Sequence, residues 1–195
     1  MSAARSEAAV NAEVSAPPVP HVNEPWSIRP ASVSEDLERL VRWMEAPHVA
    51  AFWKQAWPED RWRAELERQL SGDHSLPCML EFEGVPVAYL EVYRVMRDRL
   101  AGHYAERPHD LGVHVAIGEL GSTGRGLGRT LLREVAQGLL AADPRCTRVM
   151  AEPDSRNAPS LRAFTAAGFR VVGPITFPDK AATLLVYPRS EADLP

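Results

Sequence analysis

The run Thr123-Gly124-Arg125-Gly126-Leu127-Gly128 stands where an apolar strand pattern hands over to an apolar helical one. Glycines there let backbone N–H groups approach an anion closely, and a helix start adds favourable partial charge, so phosphate is the natural occupant. The run lacks the Gly-Lys-Ser/Thr ending of a P-loop. Dinucleotide spacing also fails, because Leu131 sits where the third glycine belongs. The alternative is that these glycines make only a tight turn and a close helix contact. His103, His109 and His114 are neighbours in sequence. His109 and His114 are an odd number apart, so on one strand they face opposite sides, and no metal site is expected.

These groups need a frame. Trp26 to Pro30 alternates as a first strand, and Ser34 is placed to cap a helix with Leu37, Leu40, Val41 and Met44 on one face, ending near Pro47. A second helix is predicted from Asp60, as cap, to Leu70, with Gly72 as its stop. Cys78–Phe82 and Val87–Tyr93 flank Glu83-Gly84 as an antiparallel hairpin. Arg94 to Pro108 reads as a loop or short helix. Strand Leu111–Ile117, the Gly-rich turn, a helix through Leu131 to Leu140 and strand Thr147–Ala151 form a crossover joining parallel neighbours. A last helix starts at Ser155 or Asn157 and ends at Gly168; strands Phe169–Val172 and Thr183–Tyr187 follow. The sum is an α/β chain with a mixed sheet of about seven strands and about four helices on its faces.

The chain has 195 residues, 45% of them hydrophobic, which suits one domain. Residues 1–24, rich in Ala, Pro, Ser and Val, read as a disordered leader, residues 25–190 as the domain and 191–195 as a tail. With 22 basic against 26 acidic side chains, nucleic acid is not an expected partner. No apolar run is long enough to span a bilayer, and Cys78 and Cys146 form no disulfide framework, so a reduced, cytoplasmic setting is expected.

The turn at 123–128 resembles Q/R-x-x-G-x-G/A, the pyrophosphate-binding turn of GCN5-related N-acyltransferases, with Thr123 in place of the usual Gln or Arg. Asn157, Ser160, Leu161 and Ala167-Gly168-Phe169 resemble that family's last helix. A narrower resemblance, to siderophore acyltransferases, rests on Pro47–Trp53, Trp57-Pro58, Arg61-Trp62, Ser75-Leu76-Pro77, Tyr89–Tyr93, His103-Tyr104 and Asp110–His114. That group includes enzymes acting in mycobactin, aerobactin and desferrioxamine pathways. The resemblance implies transfer of an acyl group from acetyl- or succinyl-coenzyme A to the nitrogen of a hydroxylated amine. It implies coenzyme contacts at Val115, at 123–128 and at Asn157, Ser160 and Arg162, acceptor contacts at Trp53, Trp57, Tyr93 and His103, and a His and a carboxylate that map to His114 and Glu152.

Such chemistry needs a neutral attacking nitrogen, a base for its proton and donors for the developing oxyanion. Either His114 is the base, oriented by Glu152, or Glu152 takes the proton itself. An ordinary imidazole value near 6.5 favours His114. Asp154 is expected to cap the last helix. Phe164 occupies the place where many superfamily members carry a tyrosine acid. Arg94, Arg97 and Arg99 are candidates to receive a carboxylate. Two other readings stay open: an ordinary amine acetyltransferase, and a non-catalytic acyl-CoA binder.

Overall fold

A computed structural model describes residues 14–118 and 126–195. Seven strands form one sheet: β1 (Trp26–Pro30), β2 (Ser75–Phe82), β3 (Val85–Arg94), β4 (Leu111–Ile117), β5 (Arg148–Ala151), β6 (Arg170–Thr176) and β7 (Ala181–Pro188). Their spatial order is β1-β2-β3-β4-β5-β7-β6, and β4–β5 is the parallel pair among antiparallel ones. Five α-helices are described: α1 (Val33–Glu45), α2 (Pro47–Trp53), α3 (Glu59–Ser71), α4 (Leu127–Ala142) and α5 (Ala158–Ala167). No described helix is long and apolar enough to cross a membrane.

Strand alternation assigns the two faces. Leu90, Val92 and Val113 point into a core shared with Leu131, Val135, Leu139 of α4 and Phe164 of α5. Tyr89 and Ala116 point to the other face, where Leu40 and Met44 of α1 and Trp62 and Leu66 of α3 pack on them. The parallel pair is short: Leu111 lies opposite Val149 and Gly112 opposite Met150, and the ladder ends there. Beyond Gly112 the outward edge of β4 has lost its strand partner.

That edge explains α2, a helix the sequence reading left out. The first helix does end near Pro47, at Glu45, but Pro47 also opens the next helix, where a missing N–H costs nothing. His48 Nε2 bonds the Ile117 carbonyl at 2.9 Å and the Trp53 indole N–H donates to the Val115 carbonyl at 3.4 Å, so α2 meets polar groups that a neighbouring strand would have met. The cap of α1 is Ser32, with Ser34 inside the helix; Asp36 accepts the Ser32 N–H and a forked pair from Arg29. Pro58, rather than Asp60, precedes α3.

The expected disorder of residues 1–24 does not hold for 14–24. Val14 is buried, the Arg94 Nε–H donates to the Ser15 carbonyl at 2.9 Å, and Arg97 reaches the Val14 carbonyl at 2.6 Å. The His21 N–H donates to the Gly138 carbonyl at 3.2 Å. Composition misses this strap because its burial is supplied by side chains far away in the chain. The end of the chain is likewise tied down: Asp193 pairs with Arg107 at 2.6 Å.

A Cβ on Gly138 would lie 2.3 Å from the His21 carbonyl oxygen. Gly to Ala inside a helix ordinarily stabilises by about 1 kcal/mol. Here the clash is with backbone, and Gly138→Ala is expected to destabilise by roughly 1–3 kcal/mol in urea denaturation. An unchanged or raised midpoint would show that the strap does not pack on α4.

Candidate active site

The register of β3 and β4 sets Glu91 opposite His114 and Tyr93 opposite Gly112. Glu152 follows β5 directly, on the far side of the strand separation. The three ionisable groups meet there: His114 Nδ1 is 3.1 Å from Glu91 Oε2, and His114 Nε2 is 2.7 Å from Glu152 Oε1. His114 sits in the middle of β4, whereas Glu152 lies just past the end of β5.

Each carboxylate has further partners. The Tyr93 hydroxyl donates to Glu152 Oε2 at 2.6 Å, and Lys180 Nζ donates to the Glu152 backbone carbonyl at 2.8 Å while lying 3.6 Å from Oε1. Glu91 Oε1 accepts from Gln69 Nε2 at 3.0 Å and from the Tyr89 hydroxyl at 3.1 Å. Glycine at 112 is what admits Tyr93: a Cβ there would come within 2.1 Å of the ring.

The charge state follows. Burial by itself pushes an imidazole toward the neutral form, but the Glu152 and Glu91 carboxylates, one at each ring nitrogen, outweigh it and raise His114 to about 10. Burial likewise pushes Glu152 up, yet His114, Lys180 and Tyr93 together bring it down to about 2. Glu91 is lowered against its burial, by His114 first and then by Gln69 and Tyr89. At neutral pH the cluster is a cation clamped between two anions. This corrects the expectation of an ordinary imidazole value for His114.

A cleft of about 370 Å³ opens over this cluster. Its walls are Phe52, Trp53, Lys54 and Gln55 from the end of α2, Val113 and Val115 of β4, Ala151 to Asp154 after β5, and Asn157, Ser160 and Phe164 of α5. Alternation along β4 turns the N–H of Val115 to the same side as its carbonyl, the side that faces the gap.

Of the residues picked out for the acceptor, Trp53 lines the cleft. Tyr93 stands behind it, 2% exposed, as a support for Glu152. Trp57 packs on Trp62 at 5.1 Å with Arg61 over its ring, and His103 stacks on Phe177 at 4.7 Å; neither belongs to the wall. Arg162 is exposed on α5, away from the cleft lining. Asn157 caps α5, accepting the Ser160 N–H at 3.1 Å, whereas Asp154, expected in that role, pairs with Arg156. Of the three arginines weighed for a carboxylate, Arg94 is buried against Asp143 and Arg97 holds the strap, which leaves Arg99 in the cleft. Sequence reasoning gave Glu91 no role; its signal is a carboxylate in the middle of a buried strand.

The start of α4 is where the resemblance puts a pyrophosphate. Thr123, Gly124 and Arg125 lie outside the described residues. Gly126 has φ 79° and opens α4, whose first turn carries no side-chain cap and no acidic residue. Leu127 and Gly128 continue that first turn, with Ile117 within 3.2 Å of where a Gly128 Cβ would stand. An uncapped helix start with positive partial charge suits a pyrophosphate. Gly126, Leu127 and Gly128 would hold it there, with Asn157 and Ser160 along the arm that leads to the cleft.

Residues 32–177 match the acetyltransferase (GNAT) domain family. The chain is 39% identical over 182 residues to the lysine N-acyltransferase MbtK of Mycobacterium sp. (strain MCS), covering 93% of this chain and 75% of that protein. It is 34% identical over 170 residues to the N(6)-hydroxylysine O-acetyltransferase of Escherichia coli, covering 87% of this chain and 54% of that one. An uncharacterized protein from Bacillus halodurans superposes with a TM-score of 0.80 at 32% identity, over 84% of each chain. Aminoglycoside acetyltransferase AAC(6')-Ib in complex with coenzyme A superposes at 0.76 over 84% of this chain and 95% of that one; at 23% identity this speaks for the fold. The chain thus belongs to the GNAT acetyltransferases. It is an N-acyltransferase, and its family draws acyl groups from coenzyme A thioesters.

A free imidazole loses its charge near 6.5, whereas His114 holds it to about 10. A group raised in this way adds stability that is complete below about 6.5 and lost as pH climbs through about 10. NMR of ring-labelled protein should show one histidine titrating near the upper value, missing in His114→Gln and moved downward in Glu91→Gln. A His114 midpoint near 6.5 would refute the clamped cation.

Proposed function

We propose that the protein acylates the hydroxylamine nitrogen of an N-hydroxylated diamine or amino acid, such as N-hydroxycadaverine or N6-hydroxylysine, with acetyl- or succinyl-coenzyme A as donor, yielding a hydroxamate for siderophore assembly. The observation that carries this is the charge state of His114. An imidazolium with both ring nitrogens engaged is a poor base for stripping an alkylammonium, whose ordinary value is about 10.4. A hydroxyl on the nitrogen withdraws electrons and lowers its basicity, so that it reaches the cleft already neutral. The relatives named for lysine, hydroxylysine and hydroxyputrescine support the same substrate class.

In this reading the Val115 N–H donates to the thioester oxygen as charge gathers on it. The nitrogen of the acceptor forms its bond to the acyl carbon while the carbon–sulfur bond breaks. As the nitrogen becomes acidic on attack, its proton passes to the Glu152 carboxylate, which the His114 imidazolium, Tyr93 and Lys180 steady. Phe164 has no proton to offer the departing sulfur, which leaves as thiolate.

Coenzyme A release should be faster with N-hydroxycadaverine or N6-hydroxylysine than with cadaverine or lysine at neutral pH. His114→Ala and Glu152→Gln should each lower kcat/KM by on the order of 10²–10⁴. Equal or better turnover of the plain amines would sink the hydroxylamine reading and leave a general amine acetyltransferase. Retained coenzyme A affinity with no turnover of any amine would point to a binder.

A further inference from the structure

At the outer end of the cleft, side chains from three separate segments converge. Lys54 ends α2 in the left-handed region, at φ 55°, and its Nζ donates to the Asp179 backbone carbonyl at 3.0 Å. Arg99 comes from the loop before β4, lies over the Phe177 ring at 4.4 Å and pairs with Asp179 Oδ1 at 2.9 Å. Asp179 itself sits in the turn between β6 and β7. Beside Lys54, Gln55 contributes a side-chain oxygen that is buried and accepts no hydrogen bond from the protein. All four residues line the cleft whose floor is His114.

A buried acceptor without a donor is unfavourable unless a ligand supplies one. Of the two cations here only Arg99 pairs with the Asp179 carboxylate, while Lys54 meets a backbone carbonyl, so a second carboxylate can be taken, and arginine offers it a fork of N–H groups. The cleft mouth thus offers donors for an anion and, next to them, acceptors for an N–H group. That is the complement of a zwitterion.

Building on the proposed acylation, we infer that the cleft mouth receives the head group of a free α-amino acid. Arg99 and Lys54 take its carboxylate, and Gln55 Oε1 with Asp179 takes its α-ammonium. The hydroxylated nitrogen at the far end of the side chain then reaches toward His114. Within the class proposed above this selects an N-hydroxylated amino acid over the decarboxylated diamine. A dicarboxylic acyl donor would present the same carboxylate chemistry from the other direction, and the donor arms of the experiment separate the two.

The experiment measures kcat and KM for N6-hydroxylysine and N-hydroxycadaverine, and for lysine and cadaverine, each with acetyl- and succinyl-coenzyme A, in wild type, Arg99→Ala, Lys54→Ala and Gln55→Leu. The two members of each acceptor pair differ only in the carboxylate. The expected result is a preference for the carboxylate-bearing member of roughly tenfold or more, equivalent to about 1.4 kcal/mol and seen in KM, which falls toward one in Arg99→Ala and Lys54→Ala. N2-acetyl-N6-hydroxylysine, which lacks the ammonium, should lose affinity in wild type and lose less in Gln55→Leu. Equal or better use of the diamines by wild type overturns the inference. So does a preference for succinyl over acetyl donor that disappears in Arg99→Ala while the acceptors stay equivalent. If only the plain amines react, the hydroxylamine reading has failed, and the lysine-to-cadaverine ratio still decides whether the head-group receptor exists.

Discussion

The chain Glu91–His114–Glu152 sets the terms for the elements around it. Two carboxylates taken out of water are tolerable only with charge and donors brought to them, and removing one partner from such a group leaves a buried charge uncompensated. Glu152 is met by His114, Tyr93 and Lys180, and Glu91 by His114, Gln69 and Tyr89. Those partners arrive from α3, β3, β4 and the turn between β6 and β7. The register that faces Glu91 with His114, and the glycine that makes room for Tyr93, serve the same balance.

The second constraint is the unpaired edge of β4. A strand whose neighbour departs must find partners for its backbone groups. Here α2 meets two carbonyls through His48 and Trp53, leaving the Val115 N–H toward the cleft. The same helix ends in Trp53, Lys54 and Gln55, so the element that satisfies the edge also builds a wall of the site.

Much of the frame was legible. Periodicity located β4 from Leu111 to Ile117, the Glu83-Gly84 turn between β2 and β3, and the helix following the Gly-rich turn. What escaped was non-local. Pro47 reads as a stop until the exposed edge of β4 gives a new helix something to bind, and residues 14–24 read as disordered until Arg94 and Arg97 reach across to them. The parallel pairing of β4 and β5 was read from the strand, turn, helix, strand succession, but the β3–β4 register that sets Glu91 against His114, and with it the charge on His114, is encoded by no local pattern. The resemblance named His114 and Glu152, which the fold brings within 2.7 Å of each other. It also drew in Trp57 and His103, which pack on Trp62 and Phe177 and do not line the cleft.

The order of strands bears on what counts as a unit. The family match runs from residue 32 to 177, whereas β1 lies before it and β7 after it, and β7 is wedged between β5 and β6. A fragment cut at the matched bounds would lose an interior strand, leave β6 without its neighbour and strip Glu152 of Lys180. The bounds of the domain match are therefore narrower than the sheet that closes the site, and boundaries for expression belong outside the strap and beyond Asp193 rather than at residues 32 and 177.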